Sequence, residues 1–134
     1  MIMKKGLTSA TLVWLITAII AVFGLVYAFC VAYKVDELES IAKNENVPVH
    51  YVDAETILNH PALQSMQCNA IGLYDVKRKS IMVDERHRLN PRVLAHELGH
   101  YFAIKFWNDN SEEAAEEICW NLIRQGKRYL EVFD

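Results

Sequence analysis

Two histidines lie four residues apart in the stretch VLAHELGHYF (residues 93–102), and a glutamate follows the first of them. On an α-helix, residues i and i+4 lie one turn apart on the same face, so His96 and His100 can direct their imidazoles at one point and bind a zinc ion at about 2.0–2.1 Å. Glu97 would then lie beside the metal and accept a proton from water, whose pKa zinc lowers from about 15.7 to about 7. The motif therefore predicts a zinc-dependent hydrolytic centre with Glu97 as catalytic base.

A catalytic zinc ion needs a third protein ligand and one position open to water. In SEEAAEEICWNLI (residues 111–123), placing residues every 100° puts Glu112 inside an apolar stripe, Glu116 at its edge, and Glu113 on the opposite side. Because burying an unpaired carboxylate is costly, Glu112 is the predicted third ligand; the alternative is a first-turn residue favoured by the helix dipole. Glu116 could accept a hydrogen bond from the free N–H of a metal-bound histidine.

Tyr74 lies in a strand expected to border the cleft, where its hydroxyl could donate a hydrogen bond to the developing oxyanion. A tyrosine of the core or of an edge strand is the alternative. Gly72, in the same strand, could let a substrate backbone come close. Three further histidines have no ligand spacing to the motif and are interpreted as surface or turn residues: His50, His60 and His87.

The elements that position these residues follow an α+β pattern. Apolar residues at helical spacing extend the first helix to about residues 44–46, and residues 47–52 predict a short strand, which Pro48 places at an edge or at a strand start. Asp53 can cap a brief helix over residues 54–59. Two apolar runs, residues 70–74 and 80–83, are joined by a charged turn and predict a hairpin.

The motif itself falls on a helix that begins at Asn90-Pro91 and runs to about residue 107. Ser111 caps the last helix, which is expected to continue to the C-terminus. Gly99 costs about 1 kcal/mol in helix propensity against alanine, so a packing reason for it is expected. The predicted domain therefore has a small antiparallel sheet, an HExxH helix and a C-terminal helix that carries the glutamates.

Residues 7–33 contain no charged side chain. At 1.5 Å per residue, a helix of that length crosses the roughly 30 Å hydrocarbon core of a bilayer with some tilt. A cleaved signal peptide fits less well, because its apolar core is usually about 7–15 residues long and no A-x-A site follows this one. Residues 1–33 are therefore predicted to be a single transmembrane anchor in contact with the lipid bilayer, and residues 34–134 the catalytic domain.

Lys4 and Lys5 precede the apolar segment, while Lys34 after it is followed by acidic residues. By the positive-inside rule this one-charge margin favours a catalytic domain outside the cytoplasm, and the side of the membrane stays open. The net charge of −3 and the scattered basic residues predict no nucleic-acid partner. The three cysteines form no CxxC pair, so neither a disulfide scaffold nor a zinc ribbon is indicated, and pairing of Cys68 with Cys119 stays open.

RVLAHELGHYFA, followed by a helix of the form E-x-x-A-x-x-apolar-small, resembles the ImmA/IrrE family of gluzincin metallopeptidases, as does the preceding GLYDVKRKSIMVDER. The similarity covers roughly residues 47–123. It implies a minimal zincin-like fold in which His96, His100 and Glu112 hold Zn²⁺ and Glu97 is the base. It also implies cleavage of a regulatory protein such as a transcriptional regulator.

Three features depart from that family. Glu116 stands where Asn or Asp is usual, eleven residues separate His100 from Glu112, and a membrane anchor replaces a soluble context. The prediction from the sequence is a membrane-anchored zinc metallo-endopeptidase. The alternative is a membrane-tethered binding or sensor protein with a structural or catalytically inactive zinc site, and a helix-hairpin domain without metal is a further one. Metal content and the effect of Glu97→Gln distinguish these interpretations.

Overall fold

The computed structural model of the protein describes residues 6, 8–63 and 70–134. Lys4, Lys5 and Cys68 lie outside the described residues. The chain divides into two compact units, Met1–Cys30 and Val31–Asp134. The first helix contributes residues to both units, and each unit is described by itself.

Helix α1 spans Ser9–Asn44, and the part of it that belongs to the first unit is apolar with exposed side chains. The mean hydropathy of its most apolar window is 2.6, and no part of that window is buried. Within the described ranges, α1 is the one helix that is long and apolar enough to cross a membrane. A membrane span or a signal sequence could have this length and composition.

In the second unit, the last turns of α1 pack into the core through Val35, Leu38, Ile41 and Ala42, which are all buried. The helical spacing of these residues in the sequence is thereby confirmed. A loop with Asn46 at φ 58° then leads into the sheet.

Within the described residues three strands form a sheet in the order β1-β3-β2, with β1 at Val49–Val52, β2 at Gly72–Asp75 and β3 at Ser80–Asp84. Strands β2 and β3 form the predicted antiparallel hairpin. The prediction of a wholly antiparallel sheet is wrong, because β1 pairs with β3 in parallel. Parallel neighbours need a crossover of a dozen or more residues, and residues 53–79, which include β2, connect β1 to β3.

Strand β1 is an edge strand, as Pro48 predicted. Helix α2 (Ala54–Leu58) follows it, and the Asp53 side chain accepts a hydrogen bond from the Thr56 N–H at 2.8 Å. This is the cap that the sequence predicted, and it begins the crossover to the hairpin.

Helix α3 (Pro91–Trp107) contains the HExxH motif, and helix α4 (Glu112–Gln125) follows after a short turn. The predicted caps are present: the Asn90 side chain accepts from the Arg92 N–H, and Ser111 accepts from the Ala114 N–H, each at 3.2 Å. Each cap satisfies one backbone donor that the helix leaves unpaired. The two caps mark where both helices start.

The two helices approach closely at Gly99, where a Cβ would lie 2.2 Å from the carbonyl oxygen of Ala115. This close approach is the packing reason that Gly99 in a helix interior calls for. Leu98 and Phe102 of α3 and Ile118 of α4 belong to the same fully buried core.

The last helix is shorter than predicted, because Gly126 with φ 58° interrupts it. Helix α5 (Lys127–Leu130) continues after the break. A Cβ at position 126 would also meet the Glu37 carboxylate. The turn at Gly126 thus lies directly against α1, and the predicted continuous helix to the C-terminus is corrected to two helices.

Candidate metal centre

Three side chains from two helices converge at one point. His96 and His100 project from the same face of α3, with ring centroids 4.9 Å apart. Glu112 opens α4 and bridges them: its Oε2 lies 3.0 Å from His96 Nε2 and its Oε1 3.2 Å from His100 Nε2. One ligand atom from each residue lies within 4.8 Å of the others.

This donor set fits a zinc ion. Two imidazole nitrogens and one carboxylate are a known catalytic combination, and ligand bonds of about 2.0–2.1 Å in a tetrahedral site place neighbouring donors roughly 3.3 Å apart. The distances of Glu112 to both imidazoles are close to that value. Because the Glu112 side chain is 68% exposed, the side of the site that faces the cleft is open.

The His96 ring is held through its second nitrogen. Nδ1 lies 2.9 Å from Glu116 Oε2, which leaves Nε2 directed at the convergence point. Burial favours the neutral ring, but the hydrogen bond to Glu116 and the charges of Glu97 and Glu112 outweigh it, so the pKa of His96 is raised. Glu116 is bound in turn by Arg92 at 2.8 Å, and these two hydrogen bonds keep the pKa of Glu116 low.

His100 is held differently. Its Nδ1 is buried and has no hydrogen-bond partner among the residues that the structure describes, so Nε2 is the nitrogen it presents to Glu112. Burial lowers the pKa of His100, which favours the neutral form that binds a metal.

Glu97 lies between α3 and the hairpin. A Cβ at Gly72 would lie 2.9 Å from Glu97 Oε1, so glycine at this position makes room for the carboxylate. The Glu97 side chain is buried, and burial raises its pKa to about 7, while a hydrogen bond from the Tyr74 backbone N–H acts in the opposite direction. The carboxylate is thus fixed beside the two histidines.

A cleft of about 860 Å³ passes over this centre. Its walls are the β2 strand with the following turn on one side and the start of α4 on the other. The lining residues include His60, Leu63, Gly72, Tyr74, Lys77, Arg78, His96, Glu97, His100, Asn110 and Glu112.

A second donor group shares His96 and consists of His96, Glu116 and Cys119. It fits a metal less well. Cys119 is buried, its Sγ donates to the Arg92 carbonyl at 3.7 Å, and burial raises the pKa of the thiol to about 12, whereas a ligand has to be a thiolate. The three donors that open on the cleft are therefore the better candidate site.

The structure brings together the residues that the sequence singled out, with two corrections. Glu112 reaches both histidines, but its side chain is exposed and does not lie in the buried stripe. His60 lies in the turn after α2, one of the two predicted alternatives, but it is not a surface residue: its Nε2 lies 3.2 Å from Asp75 Oδ2, and its side chain is only 12% exposed. Tyr74 lines the cleft and packs edge-on against Tyr101, with ring centroids 5.9 Å apart.

Sequence reasoning missed Arg92, the pairing of His60 with Asp75, and Asn110, which lines the cleft and forms a hydrogen bond with His100. Asn110 lies in the turn before α4, and its only signal was its place next to the Ser111 cap. The sequence offered one signal for Arg92: it is a basic residue in the first turn of a helix, where the helix dipole disfavours a positive charge.

Comparison with known proteins adds no relative: no family model, curated protein or solved structure matches the chain. The likeness to the ImmA/IrrE family therefore depends on the quoted motif residues.

Proposed function

We propose that the protein is a membrane-anchored zinc metallo-endopeptidase. One observation carries the proposal: two Nε2 atoms and one carboxylate converge at an open cleft, and a fourth side chain, the buried Glu97, lies beside them without being needed as a ligand. Structural zinc sites are usually closed by four protein ligands, whereas catalytic sites keep a position open.

His96, His100 and Glu112 would hold the zinc ion, and Glu116 would orient His96 through its Nδ1–H. Zinc, when bound, supplies a Lewis acid that polarises a carbonyl and lowers the pKa of water. Glu97 accepts the proton of the attacking water and later passes it to the leaving amine. Its fixed position against Gly72 serves this role, because proton transfer requires a base within hydrogen-bond reach.

The edge of β2 offers a way to bind a peptide. The Asp84 N–H donates to the Ile71 carbonyl at 2.8 Å, so by antiparallel alternation the backbone groups of Gly72 and Tyr74 point away from β3. The Tyr74 N–H donates to Glu97, so a peptide would pair with the Gly72 backbone groups and the Tyr74 carbonyl. Extended peptides add to such strand edges by main-chain hydrogen bonds. A substrate bound here would pass over the metal donors, with the Tyr74 hydroxyl available to stabilise the oxyanion.

The anchor and the substrate class belong to the same proposal. The apolar part of α1 would span the bilayer once. The similarity of the motif region to the ImmA/IrrE family favours a regulatory protein, such as a transcriptional regulator, as the substrate.

The test is Glu97→Gln in the full-length protein, with Glu113→Gln, an exposed glutamate of α4, as control. Glu97→Gln should retain about one zinc per chain in detergent, because the amide is nearly isosteric and the ligands are untouched. Cleavage should fall by roughly 10²–10⁴-fold, the usual contribution of a positioned proton-transfer group. The readout is zinc content together with protein fragments that appear in cells with the wild type and disappear with the variant.

Equal fragments at equal rates from the wild type and Glu97→Gln would refute the peptidase. Zinc in both forms without any cleavage would favour the tethered binding or sensor protein instead. Loss of zinc from Glu97→Gln alone would make Glu97 a ligand and overturn its role as base.

A further inference from the structure

We propose that Arg92 is a positioning residue for the metal centre, acting on His96 through Glu116. Arg92 Nη2 lies 2.8 Å from Glu116 Oε1, and Glu116 Oε2 lies 2.9 Å from His96 Nδ1. Each oxygen of the carboxylate thus has its own partner. Glu116 cannot rotate to leave His96 without also breaking its bond to Arg92.

The two helices contribute matched pairs to this arrangement. Arg92 and His96 are one turn apart on α3, and Glu116 and Trp120 are one turn apart on α4. The Arg92 guanidinium lies over the Trp120 ring at 4.9 Å from its centroid. Arg92 is therefore held between Trp120 and Glu116, and its planar fork is suited to both contacts.

The position of Arg92 is otherwise unfavourable. It lies in the first turn of α3, where the helix dipole disfavours a cation. Its side chain is 58% exposed, and exposed ion pairs add little to stability on average. A function of the ion pair in orienting Glu116 accounts for a cation at this point better than stability does.

The effect on the metal follows from the two nitrogens of one ring. When Nδ1 donates its proton to Glu116, the lone pair of Nε2 is directed at the cleft and at Glu112. If Arg92 is lost, Glu116 can turn toward solvent, and His96 can rotate or change tautomer. Zinc affinity should then fall although every ligand is still present.

The inference rests on the metal site of the proposed function but does not require peptide cleavage. The experiment measures zinc affinity of the full-length protein in detergent by competition with a chromophoric chelator. Partners of metal ligands typically contribute about 10–100-fold to affinity, so Glu116→Ala should lose about that much and Arg92→Gln, one bond further away, about 3–10-fold. Arg92→Lys, which keeps the charge, should recover part of the loss.

The matched control is Arg88→Gln, since Arg88 also lies over an aromatic ring, that of Tyr51 at 4.6 Å, but away from the metal donors. It should leave zinc affinity unchanged.

The second comparison uses a Glu116→Gln background, in which Arg92→Gln should cause no further loss of zinc affinity. If Arg92 acted only through general stability, its replacement would lower zinc affinity in this background as well. Unchanged affinity of Arg92→Gln, or an equal loss with and without Glu116, overturns the inference. A wild-type protein that binds no zinc refutes the metal site itself.

Discussion

Glu112 shows how the chemistry of this site depends on single residues. The carboxylate is largely exposed, yet each of its oxygens faces a different histidine. The neighbouring glutamate, Glu113, has the same side chain and is also exposed, but α4 directs it away from the site. The difference between them is helical phase alone.

Glu112→Ala should therefore lower zinc content far more than Glu113→Ala. Removing one of three protein ligands leaves only two imidazoles, which hold zinc weakly, whereas Glu113 is not among the converging donors. Elemental analysis of the two purified full-length variants, at equal protein concentration and after the same dialysis, gives the comparison. Equal zinc in both variants would show that Glu112 is not a ligand.

At the residue scale, the sequence predicted what helical periodicity determines. The pair His96 and His100 follows from i, i+4 spacing, and Glu112 follows from phase and the need for a third ligand. The ion pair of Arg92 with Glu116 and the pair of His60 with Asp75 could not be predicted, because both contacts depend on how separate elements are placed. The exposure of Glu112 was not predicted because its helical phase was assigned as if it lay inside a continuous helix. Glu112 is instead the first residue of α4.

At the scale of elements, the contact between α3 and α4 determines the site, since one helix supplies two donors and the other supplies the third. Gly99 sets how close they come, because any side chain at that position would enter the space of the Ala115 carbonyl. Interiors are close-packed, so such a contact cannot be relieved without moving a helix.

Gly99→Ala should destabilise the protein, although alanine is intrinsically better in helices by about 1 kcal/mol. Overpacking costs typically about 1–3 kcal/mol, and here the new Cβ would meet backbone at 2.2 Å. Gly24→Ala is the matched control, since Gly24 lies in α1 with nothing within 4 Å of a new Cβ. Thermal unfolding of the two variants measures the effect. A midpoint for Gly99→Ala equal to or above the wild type would refute the close contact.

The hairpin, the three helix caps and the helix of the motif were predictable because local patterns encode them. The parallel pairing of β1 was not, because strand direction depends on the path of the connection and not on the pattern of either strand. The break at Gly126 had a local signal, since glycine inside a helical pattern often marks a helix end.

At the scale of the whole molecule, α1 contributes to both units of the chain. Its last residues belong to the core of the second unit, and Glu45 just after it accepts hydrogen bonds from Tyr101 at 2.7 Å and Lys105 at 2.8 Å on α3. Tyr101 directly follows the candidate ligand His100 in sequence. The second unit, which contains the candidate metal centre, therefore includes the end of the long apolar helix, and a truncation that removes Val35–Ala42 would remove part of its core.

The final prediction concerns the side of the membrane. If the apolar segment spans the membrane as proposed, Lys4 and Lys5 before it, against Lys34 and the acidic Asp36 after it, favour an N-terminus in the cytoplasm and the unit with the candidate metal centre outside. Cys119 is buried and cannot report this by thiol labelling, so paired reporters fused after Asp134 are the better probe: a phosphatase active only outside the cytoplasm and a fluorescent protein active only inside. The phosphatase should be active in the wild type.

Replacing Lys4 and Lys5 with Gln together with Asp36→Lys, an exposed position, should shift activity to the fluorescent protein, because lysines near the span determine orientation. Fluorescence from the wild type would reverse the orientation and place the cleft on the side where a transcriptional regulator is found.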